Sequence, residues 1–193
     1  QIKMALCKGK HVVCESPIAI NIDHLAELRL LAKENKCILM DSIKTAFSTA
    51  YYRMLLLAKS GVIGRIISVD AVCTSLSDLE SKKEKKRSNT WNSICAWGPT
   101  AMLPIYQLLG TNYLSKNIVS HFDEQWDNFD LFTNITYVYS NAVASFKVGK
   151  GAKSEGELII SGTKGYIYVP APWWKTDYFE IRFENPVNNK RYF

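Results

Sequence analysis

Long apolar runs are absent from this 193-residue sequence. None approaches the ~18 residues of a membrane span, and no charged, apolar and small-residue order of a signal peptide opens the chain. A membrane partner is therefore not expected, and the chain reads as cytoplasmic. The five cysteines (Cys7, Cys14, Cys37, Cys73, Cys95) contain no pair at the two-residue spacing of a zinc knuckle, and the three histidines (His11, His24, His121) are scattered. No metal is expected, and the cysteines read as reduced core residues. The formal charge of +6 comes largely from Lys82-Lys83-Glu84-Lys85-Lys86-Arg87, which reads as a solvated loop. Basic residues interleaved with exposed aromatics are missing, so no nucleic-acid partner is expected. Gly149-Lys150-Gly151-Ala152-Lys153-Ser154 begins like a phosphate-binding fingerprint, but its third glycine is missing and no helix follows it. It reads as a mobile basic hairpin loop between two antiparallel strands.

What is present is an ordinary globular composition, 47% hydrophobic and 22% charged. At this size about 70% of the unfolded surface can be buried, enough for one or two compact units. His11 to Glu15 reads as an inner strand of a nucleotide-binding sheet, and it arrives early: Gln1 to Lys8 suffices only for the tail of a helix. The chain is thus expected to open in the middle of a fold, without the first strand and phosphate-binding turn. Asn21 is placed to cap a helix in which Ile22, Leu25, Ala26, Leu28, Leu31 and Ala32 recur at spacings of three and four, the mark of one buried face. Cys37-Ile38-Leu39-Met40 is a continuous apolar run, expected to be a strand covered on both faces. Strand, helix and strand then make one right-handed parallel unit.

A second helix is expected from Thr45 to Ser60, closed by Gly61. Arg65 to Thr74 is β-branched and alternating, and a polar linker covers Ser75 to Asn89. Trp91 to Leu109 reads as a helix ending at Gly110, with Pro99 near its start and Pro104 as a kink within it. Phe129 to Tyr139, Ala142 to Val148, Gly156 to Ser161, Tyr166 to Val169 and Tyr178 to Phe183 are runs of strand length joined by turn residues, an antiparallel meander. The chain stops at Arg191-Tyr192-Phe193 in a strand-like context. The expected fold class is α/β plus α+β: a remnant of a doubly wound parallel Rossmann sheet, then a domain with a large, mainly antiparallel sheet covered by helices on one face.

Four separated blocks carry a resemblance. Gly9-Lys10-His11-Val12-Val13-Cys14-Glu15-Ser16-Pro17, Leu39-Met40-Asp41, Ser60-Gly61-Val62-Ile63-Gly64 and Ile159-Ile160-Ser161-Gly162-Thr163-Lys164-Gly165 resemble, in the same order, the Gfo/Idh/MocA oxidoreductases. The resemblance implies a remnant of the NAD(P)-binding Rossmann domain over 1–62 and a C-terminal substrate and oligomerisation domain over 63–193. It also implies hydride transfer between NAD or NADP and a sugar, inositol or related polyol. Glu15, Ser16 and Pro17 fall on the family's cofactor-binding Glu-Lys-Pro. A homo-oligomer through the C-terminal sheet is implied as well, and Tyr137, Tyr139, Phe146, Tyr166, Tyr168, Trp173 and Trp174 suit an aromatic sheet face seeking a partner, although Phe146 also reads as core.

Departures from the family's pattern shape the functional expectation. Ser16 replaces the lysine of Glu-Lys-Pro, and the family's Asp, Gly and His positions read Ala96, Gly98 and Thr100. Thr100, at the position of the family base, cannot take a hydroxyl proton, and losing a positioned base typically forfeits on the order of a hundred- to ten-thousandfold in rate. Lys44, past the carboxyl end of the Cys37 to Met40 strand, is the candidate replacement, as a base or as an anchor for a substrate anion. Asp41, Lys44 and Trp97 form the candidate substrate-binding set, Asp41 being equally readable as a helix cap. The expected function is a fragment of an NAD(P)-dependent oxidoreductase acting on a sugar, polyol or sugar nucleotide, inactive in this form, with no cofactor held tightly. The alternative is a noncatalytic carbohydrate-binding or oligomerisation module.

Overall fold

A computed structural model describes residues 1–77, 92–124 and 129–193. The basic run at 82–87, most of the expected linker and the expected helix start at position 91 lie outside the described residues. The chain divides into two compact units, Gln1–Ile43 and Lys44–Phe193. That division falls before the second helix, whereas the boundary drawn at 62/63 on the resemblance follows it.

The first unit runs α1 (Ile2–Cys7), β1 (Val12–Cys14), α2 (Ile22–Glu34), β2 (Leu39–Asp41). β1 and β2 pair in parallel, Val12 opposite Leu39 and Cys14 opposite Asp41, the pairing expected of a strand, helix, strand unit. His11 extends the ladder, its Nδ1 accepting the Ile38 N–H at 2.9 Å. α2 begins where the sequence places it, because the Asn21 side chain accepts the N–H groups of Asp23 at 2.7 Å and His24 at 3.3 Å. Two expectations fail. Ile22 is 75% exposed and Ala26 is exposed, so the inner face of α2 is Leu25, Leu28, Leu31 and Ala32. Ile38 is 62% exposed, so the second strand is not covered on both faces. Two three-residue strands and two helices offer too little surface to enclose either strand.

The second unit opens with a 3₁₀ turn (Lys44–Phe47) and α3 (Thr49–Lys59), then β3 (Ile66–Thr74) and α4 (Ser93–Leu109). The expected single helix over 45–60 is thus a turn and a helix. Gly61, with φ of 81°, closes α3 in the left-handed region where a side chain is disfavoured. Seven strands follow: β4 (Ser115–Asp123), β5 (Phe129–Val138), β6 (Val143–Gly149), β7 (Leu158–Gly162), β8 (Tyr166–Val169), β9 (Phe179–Arg182) and β10 (Lys190–Tyr192). α4 continues through both Pro99 and Pro104, so Pro99 is an interior residue.

The eight-stranded sheet has the order β10-β9-β8-β7-β3-β6-β5-β4. The expected meander is therefore interrupted. β3 inserts between β6 and β7, parallel to the first and antiparallel to the second. Gly149 to Ser154 is consequently no hairpin: it crosses the carboxyl end of β3. Nor is it loose, since Ser75 N–H and Ser77 N–H donate to the Gly149 and Lys150 carbonyls, Gly151 N–H donates to Leu131 O, and Thr74 Oγ1 bonds both Ser154 N and O.

α4 packs on β3, β5 and β6, and the core lies on that side of the sheet. Val69, Ala71, Phe146, Val148, Ile160, Ile167 and Ile181 alternate inward along their strands. Full burial of an Ile or Phe side chain contributes about 1.5–3 kcal/mol. Tyr137 at 4% exposure, Tyr139 at 7%, Phe146 and Trp173 belong to this core, so the expected exposed aromatic face does not include them. The Tyr106 hydroxyl of α4 donates to the Tyr137 hydroxyl at 3.0 Å, and Trp173 Nε1 donates to Val72 O at 3.0 Å. Tyr166 and Tyr168, of opposite parity to buried Ile167 and Val169, are half-buried on the other face. Among the described residues no helix is long and apolar enough to cross a membrane, and no three His, Cys, Asp or Glu residues group as a metal site.

Candidate functional site

In the first unit, the Cys14–Asp41 register puts the two carboxyl strand ends side by side, and the Ser42 N–H donates to Cys14 O at 2.8 Å. Glu15, Ser16 and Pro17 follow β1 directly, and Asp41 ends β2. The structure thus brings Ser16 and Asp41 to one edge of the parallel pair, where open α/β sheets present their ligand crevice. Ser16 Oγ and Asp41 Oδ1 are both buried there without a hydrogen-bond partner in the protein. Buried polar atoms are normally satisfied, so two orphans at adjacent strand ends mark a place where a polar group from elsewhere belongs. Asp41 caps no helix in this unit.

In the second unit the candidate residues meet around Trp174. Lys44 is exposed at the start of its 3₁₀ turn, and the next residue, Thr45, is 4% exposed with its hydroxyl donating to Trp174 O at 2.8 Å. Ser48 Oγ donates to Thr176 O at 3.1 Å. These two bonds dock the turn on the 3₁₀ segment Trp173–Lys175. From the opposite side, Trp97 on α4 approaches the Trp174 ring with centroids 4.8 Å apart. Its indole N–H donates to Ser75 Oγ at 3.2 Å, and the same oxygen takes a bond from Lys150 Nζ at 3.2 Å. Thr100 is half-buried one helical turn beyond Trp97 and so on the same face of α4.

The position of α4 is fixed at its first turn. Asn92 Oδ1 accepts the Cys95 N–H at 2.9 Å, while Asp130 on β5, 1% exposed, accepts the N–H groups of Ser93 at 2.6 Å and Ile94 at 3.3 Å. The Thr133 hydroxyl adds a third bond to this carboxylate at 3.1 Å. A negative charge at a helix N-terminus is favourable, and here it ties the helix carrying Trp97 and Thr100 to the sheet.

Sequence reasoning named Trp97 and Lys44 but missed Trp174, Ser75 and Lys153 as their neighbours. Lys153 Nζ meets the carbonyls of Ser154 at 3.2 Å and Thr74 at 3.4 Å, at the same carboxyl end of β3. The available signal was the Trp173-Trp174 doublet, in which one ring must face inward and the other away. Chemically, the cluster offers two half-exposed indole faces, a hydroxyl and cations. Thr100 and Ala96 offer no group that accepts a proton near neutral pH.

No family model and no curated protein matches the chain. Solved structures do. Aldose-aldose oxidoreductase from Caulobacter crescentus, complexed with glycerol, is 18% identical with a TM-score of 0.85 over 100% of this chain and 58% of that one. An NAD binding oxidoreductase from Klebsiella pneumoniae is 15% identical with a TM-score of 0.82, over 99% and 56%. The 3-ketoreductase KijD10 from Actinomadura kijaniata, in complex with TDP-benzene and NADP, is 17% identical with a TM-score of 0.81, over 99% and 58%. The chain spans little more than half the length of these structures. What they share with it is the fold: a small parallel sheet, and a large, mostly antiparallel sheet with helices.

Proposed function

We propose that these 193 residues form the distal part of an NAD(P)-linked oxidoreductase acting on a sugar, polyol or sugar nucleotide, and that by themselves they neither grip the dinucleotide nor turn over. The domain assignment that goes with this reading is cofactor-side over 1–62 and substrate-side over 63–193. The observation that carries it is the pair of orphaned polar atoms, Ser16 Oγ and Asp41 Oδ1, at the crevice end of a parallel strand pair, in a fold shared with an aldose-aldose oxidoreductase and a 3-ketoreductase.

The residues present fit only part of a dinucleotide. Ser16 has a hydroxyl to offer a ribose or carboxamide, and Asp41 an acceptor for a sugar hydroxyl. The β1 to α2 junction is no pyrophosphate cradle: the Asn21 side chain already takes the amides of Asp23 and His24, and the Asp23 carboxylate sits in the first turn. A phosphate there would meet occupied donors and a like charge. When bound, NAD(P) supplies the hydride acceptor or donor. What the chain's own residues do is bind and orient: the Trp97 and Trp174 faces receive apolar sugar C–H surface. With Thr100 at the family's base position, no side chain on that turn of α4 removes a hydroxyl proton.

A second reading, a noncatalytic carbohydrate-binding or oligomerisation module, is favoured by the face of the large sheet opposite α4. It presents Tyr166, Tyr168 and Arg182, with Arg182 stacked 4.4 Å over the Tyr168 ring, and aromatic and arginine side chains are the usual anchors of protein interfaces. Light scattering tests this second reading: a strictly monomeric chain whose melting temperature no sugar shifts counts against it. The leading reading is tested by incubating the chain with NAD or NADP and a panel of aldoses and inositols while following the absorbance of the reduced nicotinamide. No reduced cofactor should form above the blank, while sugars should raise the melting temperature. Sugar-dependent turnover would refute the inactivity, and absence of any sugar-induced shift would refute the substrate class.

A further inference from the structure

The Trp97–Trp174 pair is built more firmly than surface aromatics require. Trp97 is held by its indole N–H on Ser75, and Trp174 lies against Gly156, where an added Cβ would fall 2.7 Å from its ring. Behind them Trp173 is fully buried and meets Trp174 edge-on, with centroids 6.5 Å apart. Both outer rings remain half-exposed. Their arrangement is an apolar bracket with rotamers fixed before any ligand arrives, which lowers the ordering cost of binding.

On the backbone beside this bracket sits Lys153, whose ammonium meets no carboxylate among the described residues. Among the described residues, Lys153 Nζ bonds only the carbonyls of Thr74 and Ser154. Thr74 precedes Ser75, whose hydroxyl holds Trp97, so the cation and the bracket share one short stretch of backbone. Lys150 donates to Ser75 and braces the same stretch. The acidic residues of this connection are turned elsewhere: Glu155 and Glu157 are close enough to Tyr168, on the sheet face opposite α4, to help raise its phenol pKa.

We propose that this cluster binds a monosaccharide that carries an anionic group, its ring against Trp97 and Trp174 and its carboxylate or phosphate on Lys153. The proposal rests on the sugar reading above and narrows its substrate class. Neutral sugars gain only the stacking and hydroxyl contacts. A charged sugar gains a charge-assisted hydrogen bond to the exposed Lys153 ammonium, worth about three- to fivefold in affinity.

The test is a titration of the 193-residue chain with glucuronate, glucose 6-phosphate and glucose, read by tryptophan fluorescence and calorimetry. Both anionic sugars should bind about three- to fivefold more tightly than glucose, and Lys153→Met should abolish that preference while leaving glucose binding in place. Trp174→Leu should lower affinity for all three, with far-UV circular dichroism confirming the fold. Equal affinity for glucose and the anionic sugars, or a preference that survives Lys153→Met, would overturn the proposal and leave the sugar reading standing. Inorganic phosphate binding as tightly as glucose 6-phosphate would overturn it too, since an anion site without the bracket would then explain the data. Absence of binding by all three sugars would overturn both.

Discussion

Replacing Gly156 with alanine is expected to disable the aromatic cluster without unfolding the protein. A Cβ at this position would sit 2.7 Å from Trp174 Cζ3 and 2.8 Å from Cη2, and 3.7 Å from Val72 O. The first two distances are far inside van der Waals contact, so Trp174 must move. It has little room, because Trp97 stands 4.8 Å away centroid to centroid, and Gly156 cannot retreat while its carbonyl accepts the Trp173 N–H at 3.0 Å. Overpacking of this kind typically costs about 1–3 kcal/mol. For a chain of this size each kcal/mol lowers the melting temperature by about 2–4 °C, so a fall of roughly 2–12 °C is expected in calorimetry. Gly162 provides the contrast. Its Cβ would fall 2.2 Å from Ile63 O, a backbone atom pinned by the Lys164 N–H at 2.9 Å. Gly162→Ala should therefore be the more destabilising of the two, while Gly156→Ala alone should change the near-UV tryptophan spectrum and weaken sugar binding. A Gly156→Ala variant with wild-type melting and an unchanged tryptophan spectrum would refute the packing argument.

Three further outcomes follow from the charges and caps. Glu180, 15% exposed, bonds Arg191 at 2.6 Å and Arg182 at 2.7 Å, and these arginines, Arg191 first, hold its pKa below the usual carboxylate value while burial opposes them. A depressed folded pKa gives stability that is present above the unfolded value of about 4.3 and is lost as pH falls through the folded value, so Glu180→Gln should flatten the acid limb of urea midpoints below about pH 5. An unchanged acid limb would remove Glu180 from the account. Asp130→Ala strips two bonds from the start of α4 and one from Thr133 and should lower stability by about 2–3 kcal/mol in urea unfolding, against about 0.5 kcal/mol or less if the carboxylate were idle. Asn21→Ala should cost about 1 kcal/mol and speed amide exchange about fivefold in residues 22–34 alone; equal acceleration across 93–109 would contradict the local cap.

Local signals carried the sequence reading furthest. Asn21 before an apolar period, Gly61 after one and the β-branched run from Ile66 to Thr74 each act through their own backbone, so these boundaries appear in the fold nearly where the residues place them. β4 was missed because Ser-Lys-Asn-Ile-Val-Ser-His-Phe-Asp is an edge strand exposed along most of its length, with Ile118 49% and Val119 59% exposed and no inward alternation to read. The insertion of β3 between β6 and β7 was equally illegible, since it depends on pairings 75 or more residues apart, such as Asp70 with Ser145. For the same reason Gly149 to Ser154 read as a hairpin tip when it is a stitched crossover. At the candidate site, Trp97 was legible from its place before Thr100. Trp174 and Lys153 were not, because the 3₁₀ segment between β8 and β9 carries the first and the crossover at the end of β3 the second, both far in sequence from Trp97.

Calorimetric titration with NADH and NADPH decides whether these residues hold a dinucleotide. Heats are expected for sugars and no dinucleotide binding tighter than about millimolar, because the β1 to α2 turn keeps its amides on Asn21 and puts the Asp23 carboxylate in the first turn. Micromolar binding of either dinucleotide to these 193 residues would contradict it.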